Sequence, residues 1–357
     1  MNRGAFNAFG RHSDPVNAAY NPLFVETDSN NLRNFNTTFE VPKSKNLSLK
    51  NRPGYVPDWV TRDSTFGTTF ISSIAFGNGL WVMSGQQGQI RTSTDAITWT
   101  TRTSTFGTST VADVAFGNGV WVAVGAGGQT RSSTDAITWT TRASGFGTTF
   151  IGRVAFGNGV FVAGATLGII RTSTDAITWT ARTSGLSGTV TFITFNSSGS
   201  GLFLAGDSLG AMRTSTNGTT WLQIGTVFGA STSKGRFGNG LWVVVGNSGI
   251  IKTSTDTVAW VTRESPLGFR RLEDVAFGNG LWVIAAGSDG EVLTSTDSVT
   301  WGKQTTSFGT TFLSSVNFLN NLWVISGSQG QLRTASTNIA EGGTVDPFIS
   351  LNLWRAT

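Results

Sequence analysis

The chain has no cysteine and a single histidine, His12, in 357 residues. Disulfides, thiolate metal sites and cysteine nucleophiles are therefore excluded, and so is any centre that needs two imidazoles. Proline (7) and tyrosine (2) are scarce, and charged residues make up 13% of the chain, about half the usual share. No stretch approaches the roughly 18 consecutive apolar residues of a membrane span. The N-terminus, MNRGAFNAFGRHSDP, lacks the apolar run of a secretory signal. The expectation is a protein made in the cytoplasm, with no membrane insertion. The net charge of +5 is spread thinly and forms no basic stripe, which argues against a nucleic-acid partner.

What is abundant is glycine (46), phenylalanine (25) and tryptophan (13), and it recurs on a fixed beat. RTSTDAITWTTR begins at Arg91, with close copies at Arg131 and Arg171 and weaker ones at Arg213, Lys252 and Leu293. The closing tryptophans, Trp99, Trp139, Trp179, Trp221, Trp260 and Trp301, are 40, 40, 42, 39 and 41 residues apart. A second motif keeps the same period: Phe-Gly-Asn-Gly at Phe76, Phe116, Phe156, Phe237 and Phe277, with degenerate copies near Phe195 and Phe318. An apolar run such as LWVMSG or VWVAVG follows each one. Asn-Gly between apolar runs signals a hairpin, because both central residues of the tight turn need positive φ.

Each unit reads as four short strands, A to D. In the first they are Phe70–Phe76, Leu80–Ser84, Gln89–Ser93 and Thr98–Arg102. Four strands in roughly 40 to 45 residues is the pattern of a propeller blade. The predicted fold is all-β, a seven-bladed β-propeller of four-stranded blades over 58–337, with an extended arm at 1–57 and a tail at 338–357. The seventh unit lacks its strand D tryptophan, while Trp59 stands 40 residues before Trp99. An N-terminal strand near Asp58–Arg62 is therefore expected to close the last blade and leave no open edge.

Ser93-Thr-Asp95-Ala-Ile-Thr-Trp99 and its copies resemble the Asp-box, or bacterial-neuraminidase repeat, Ser-x-Asp-x-Gly-x-Thr-Trp. The present version is one residue shorter between Asp and Trp and mostly lacks the Gly. In the turn, Asp or Asn can bond the backbone amides that follow, so Asp95, Asp135, Asp175, Asn217, Asp256 and Asp297 read as structural pins. The resemblance to sialidases implies an arginine triad, an acidic acid/base residue and a tyrosine nucleophile paired with glutamate. The two tyrosines, Tyr20 and Tyr55, both precede the propeller, and the repeated arginines at 91, 131, 171, 213 and 333 read as blade-surface residues. No catalytic residue, cofactor or metal is assigned, and the expectation is a protein that is not an enzyme.

Departures from the repeat are the places to seek a site. Asp113, Arg153, Lys234, Arg236, Arg270, Arg271, Glu273 and Asp274 fall on or near A strands, with Asp207, Asp289 and Glu291 around the B–C turns. The D–A loops (TFGTTF and relatives) suggest a ligand face of Phe66, Phe106, Phe146, Phe228 and Phe308 with Arg270 and Arg271, suited to sugar stacking or protein docking. The bland alternative for those phenylalanines is packing between blades.

Residues 1–57 show no sustained period and are rich in Asn, yet carry Phe6, Phe9, Tyr20, Phe24, Phe35 and Phe39. Such a segment reads as an arm that orders on a partner surface, with the aromatics as anchors, or else as one that wraps its own propeller. The repeats resemble those of phage and marine viral structural proteins. That resemblance implies a virion structural protein, tail-associated or on the capsid surface, whose arm docks to other virion proteins while the propeller faces outward toward a host surface glycan. Two alternatives stand beside it: a soluble glycan-binding propeller, and a glycosidase of sialidase-like fold without the usual sialidase residues.

Overall fold

The computed structural model describes residues 57–336 except 198–200, 225–227 and 305. Among the described residues, twenty-eight strands form seven antiparallel four-stranded sheets. The first blade runs A to D as Ile71–Gly77, Leu80–Gly85, Ile90–Ser93 and Thr100–Arg102, within two residues of the strands read from the repeat. Among the described residues the helical segments are three single 3-10 turns, at Ala126–Gly128, Thr166–Gly168 and Asn247–Gly249. None is long and apolar enough to cross a membrane.

The A strands sit innermost and pack blade to blade around the ring. Strand B of each blade is almost fully buried, as in LWVMSG (Leu80–Gly85), so it reads as a continuous apolar run rather than an alternating one. The short D strands lie outermost and are largely exposed. Seven apolar clusters fill the wedges between blades, and each mixes residues of neighbouring sheets.

The Phe-Gly-Asn-Gly motif has a double role. Its Asn and second Gly take positive φ, for example Asn118 at 48° and Gly119 at 75°, which makes the A–B turn. Its first Gly is a seat for the next blade: a Cβ on Gly117 would lie 2.0 Å from the Phe156 ring. Gly77 under Phe116, Gly157 under Phe195, Gly238 under Phe277 and Gly278 under Phe318 repeat the arrangement. Each of these phenylalanines also pairs with the first aromatic of its own strand B, at ring-centroid distances such as 4.8 Å for Phe116–Trp121 and 4.7 Å for Phe156–Phe161.

Closure follows the predicted scheme. Val60–Asp63 is the outer strand of the seventh sheet, pairing antiparallel with Gln331–Ser336 through Val60↔Thr334 and Asp63↔Gln331. Arg62 Nε donates to Thr334 Oγ1 at 2.8 Å, and Ser64 Oγ to the Gly330 carbonyl at 2.6 Å. The latter bond is the joint used elsewhere in the ring: Ser144 to Gly128, Ser184 to Gly168 and Thr306 to Gly290, each at 2.6 Å.

Candidate functional site: the central channel

Strand direction sorts the loops onto two faces. Strand A ends at its turn on one face, strand B returns, and so on; the A–B and C–D turns share one face, the B–C turns and D–A loops the other. Because Val60–Asp63 is a D strand and Gln331–Ser336 a C strand, the described chain both begins and ends on the C–D face.

The C–D turns are held by their serine and acid. Asp95 Oδ1 accepts the amides of Ile97 and Thr98, each at 2.8 Å, and the Ser93 hydroxyl at 2.8 Å. Asp135, Asp175, Asp256 and Asp297 repeat the pattern, and Asn217 does so without charge, at 2.9 and 3.0 Å. Such bonds favour the ionised carboxylate; the Thr178 amide, then that of Ile177, holds Asp175 down at about 2. The indoles of Trp139, Trp221 and Trp260 donate back to the carbonyls of Ala136, Gly218 and Thr257 at 3.0–3.1 Å. All these acids are engaged in their own turns, at separate points of the rim.

The D–A loops correct the expected ligand face. Phe66, Phe106, Phe146, Phe228 and Phe308 are at most 5% exposed and pack in the wedges between blades. Above each lies the repeated strand C cation: Arg91 stands 4.8 Å from the Phe66 centroid, Arg131 4.6 Å from Phe106, Arg333 4.5 Å from Phe308. Arg91, Arg131 and Arg333 are therefore not blade-surface residues, while Arg171 and Arg213 are half-buried. Arg91, Arg131 and Arg333 are 5–7% exposed, and Arg131 also donates to the Thr105 hydroxyl and carbonyl and to Gln129. Stacking on a ring while filling a fork of acceptors is a task suited to guanidinium.

The aromatics that face the channel are the other phenylalanines of the same loops, Phe150 exposed and Phe70 and Phe312 half-buried, which the sequence reading passed over. Phe70, Phe150 and Phe312, one residue ahead of their A strands, line the mouth of the central channel, with Phe70 and Phe312 5.9 Å apart. The signal was present: TFGTTF places its first Phe on the loop and its second at the strand entry, and only the second recurs irregularly. Thr110, Thr189 and Arg271 take that position in blades two, four and six, where the mouth is polar.

The channel has a volume of about 620 Å³. A bulge at the second residue of every A strand turns the off-repeat residues toward it, as bulges re-aim side chains elsewhere. Seven of the singled-out charges come together here: Asp113, Arg153, Lys234, Arg236, Arg271, Glu273 and Asp274. Asp113 ties three blades, accepting Ser73 Oγ at 2.6 Å and the amides of Val114 and Val154 at 3.0 Å. Asp274 does the same toward blade seven, accepting the Val275 amide at 2.8 Å, Ser315 Oγ at 3.0 Å and the Val316 amide at 3.1 Å. Arg236 Nη2 donates to Asn317 Oδ1 at 2.8 Å, and Arg153 donates to the carbonyls of Thr191 and Gly152. Arg271 pairs with Glu273 at 2.5 Å; burial pushes the Glu273 carboxyl up, and Arg271 partly opposes it.

Lys234 stands apart. It lines the channel, and desolvation lowers it to about 8, with Asp274 opposing and Arg236 and Arg153 assisting. The other flagged residues lie outside the channel. Arg270 is on the blade-six loop, paired with Asp289 and, at 3.2 Å, with Glu291; Asp207 is fully buried, its carboxylate accepting the amides of Gly188, Leu209 and Ala211. Among the described residues no three His, Cys, Asp or Glu side chains gather as a metal site. The arm aromatics Phe6, Phe9, Tyr20, Phe24, Phe35 and Phe39, and Tyr55, fall outside the described residues.

No family model and no curated protein matches the chain. Solved propellers do. YCF48 from Cyanidioschyzon merolae superposes with a TM-score of 0.65 at 19% identity, covering 78% of this chain and 98% of that one; YCF48 bound to D1 peptide gives 0.65 at 19%, covering 80% and 97%. Virginiamycin B lyase from Staphylococcus aureus gives 0.71 at 12% identity, covering 78% and 99%. At these identities the likeness establishes the β-propeller fold alone.

Proposed function

We propose that the chain is a non-enzymatic display and binding component of a bacteriophage particle, docked through residues 1–57 and presenting its propeller outward. The observation that carries the reading is the polarity of the ring. The chain joins the propeller on the C–D face, while the aromatic mouth of the channel opens on the opposite one, so a tether on the first leaves the second free. The C–D face also presents Ile97, Ile137, Ile177, Val258 and Val299, each 46–68% exposed, an apolar ring suited to contact with a larger body. The phage setting itself rests on the resemblance of the repeats. Quantitative mass spectrometry of gradient-purified particles tests it: a fixed ratio of this chain to the major capsid protein supports the structural role, and the ratio separates tail from capsid. Absence from particles refutes it. Deleting residues 1–57 should abolish incorporation.

A glycan-binding propeller is the second reading, favoured by Phe70, Phe150 and Phe312 around the mouth, where a sugar ring could stack. The similar propeller whose structure holds a D1 peptide supports treating this architecture as a binding platform. A glycosidase is less well supported, because Asp113 and Asp274 spend their carboxylates on backbone amides and serines of the ring. A panel of fluorogenic glycosides, with Glu273→Gln as the control, tests that third reading.

A further inference from the structure

The charges in the channel do not close on themselves. Arg271 and Glu273 pair at the mouth. Deeper in, three cations, Arg153, Lys234 and Arg236, share the channel with two acids, Asp113 and Asp274. Both acids turn their oxygens to amides and serine hydroxyls of neighbouring A strands. Arg153 and Arg236 hydrogen-bond to neutral oxygens, which take up donors without supplying charge. Lys234 makes no hydrogen bond or ion pair with any described residue, although it lines the same cavity. A cation taken out of bulk water without a bonded counter-charge is costly. One added negative charge would neutralise this set and give the ammonium its acceptors.

We propose that the channel is an oxyanion site, in which a carboxylate or phosphate group enters between Phe70, Phe150 and Phe312 and is held by Lys234 with Arg236 and Arg153. The three rings at the mouth are the contact for the carbon body that bears the anion, and the 620 Å³ volume leaves room for a body of several rings or a chain of comparable size. Arg270, paired on its own loop, takes no part. The site deepens the binding half of the reading above; particle incorporation and anion binding are measured separately, so either can fail alone.

The test titrates the full chain with sodium acetate and with inorganic phosphate by calorimetry. Saturable binding of one anion per chain is expected, and the preferred anion identifies the group. Lys234→Met should weaken it by about tenfold or more, the scale of one charge-assisted hydrogen bond. Lys234→Arg should retain most of it, and Arg270→Ala all of it. Acetate stays ionised from about pH 7 to about pH 9.5, so its affinity should fall across that range as Lys234 loses its proton; Asp113, Arg153, Arg236, Arg271, Glu273 and Asp274 are the other ionisable groups facing the cavity. A readout without substitutions is amine labelling of the unaltered chain: the anion should protect Lys234 and leave Lys303 reactive. No saturable binding, equal binding by Lys234→Met, or labelling of Lys234 undiminished by either anion would overturn the proposal.

Discussion

Replacing Gly117 by alanine should destabilise the ring, although general rules predict the opposite sign. Gly117 ends strand A of blade two outside the left-handed region, where Gly→Ala ordinarily stabilises by about 0.4–1 kcal/mol through the unfolded chain. The added Cβ, however, would stand 2.0 Å from Phe156 Cγ and 2.3 Å from both Cδ atoms, against a comfortable separation of about 3.5–4.0 Å. Phe156 cannot simply retreat, because its ring pairs with Phe161 at 4.7 Å. Overpacking of this kind costs about 1–3 kcal/mol, so the net effect is a loss. Urea unfolding followed by tryptophan fluorescence measures it as a lower midpoint at unchanged slope. Gly119→Ala is the control: nothing lies within 4 Å of its Cβ, and its cost comes only from φ of +75°. Phe156→Leu should relieve the first substitution and not the second. If Gly117→Ala matches or exceeds the parent, or if Gly117→Ala and Phe156→Leu add within about 0.5 kcal/mol, the seat-and-ring account is wrong.

Removing residues 58–63 strips the seventh sheet of its outer strand and the Ser64 latch of its support; thermal unfolding should move well below that of the intact chain, and an unchanged midpoint would show that the clasp is dispensable. Arg131→Lys keeps a cation near Phe106 but loses the fork to Thr105 and Gln129, and should lower stability by about 1–2 kcal/mol. For Asp175 the folded pKa, about 2, lies below its ordinary value of 3.8, so its contribution is complete above the unfolded value and is lost as pH falls toward 2. Asp175→Asn, copying Asn217, should flatten the acid limb of the stability curve over that window. Lys234 is lowered from 10.5 to about 8, so the folded state sheds this proton first and stability should rise with pH between those values; Lys234→Met should abolish that rise.

The repeat made most of the fold legible. Six tryptophans, five Phe-Gly-Asn-Gly motifs and two degenerate copies on one beat fixed the blade count, the A–B turns and the strand that closes the ring, because each is a local requirement of backbone or hairpin. What periodicity could not tell was which way a repeated side chain points. Phe66 and Phe70 are four residues apart in one loop; the first is buried under Arg91 and the second borders the channel, and the only sign that separates them is that the second recurs irregularly, at 70, 150 and 312. The repeated arginines misled for a related reason, since a cation on a short exposed-looking strand reads as surface until the ring beneath it is seen. The off-repeat charges were the better guide. Asp113, Lys234 and Asp274 drew notice by breaking the pattern, and the shared bulge brings them into one cavity across blades that are far apart in sequence.

The serine latch that seals the ring at Ser64 and Gly330 is the same bond found at Ser144, Ser184 and Thr306. The latch at the seam is thus one the continuous joints also use, so the bond that seals the ring is not peculiar to the place where the ring is open. A circularly permuted chain, opened at another C–D turn and joined across the present ends, would keep every blade contact while moving the attachment of the arm around the rim. The azimuth at which the chain enters the ring is then adjustable, open to change by duplication or slippage of blades without disturbing the channel at the centre.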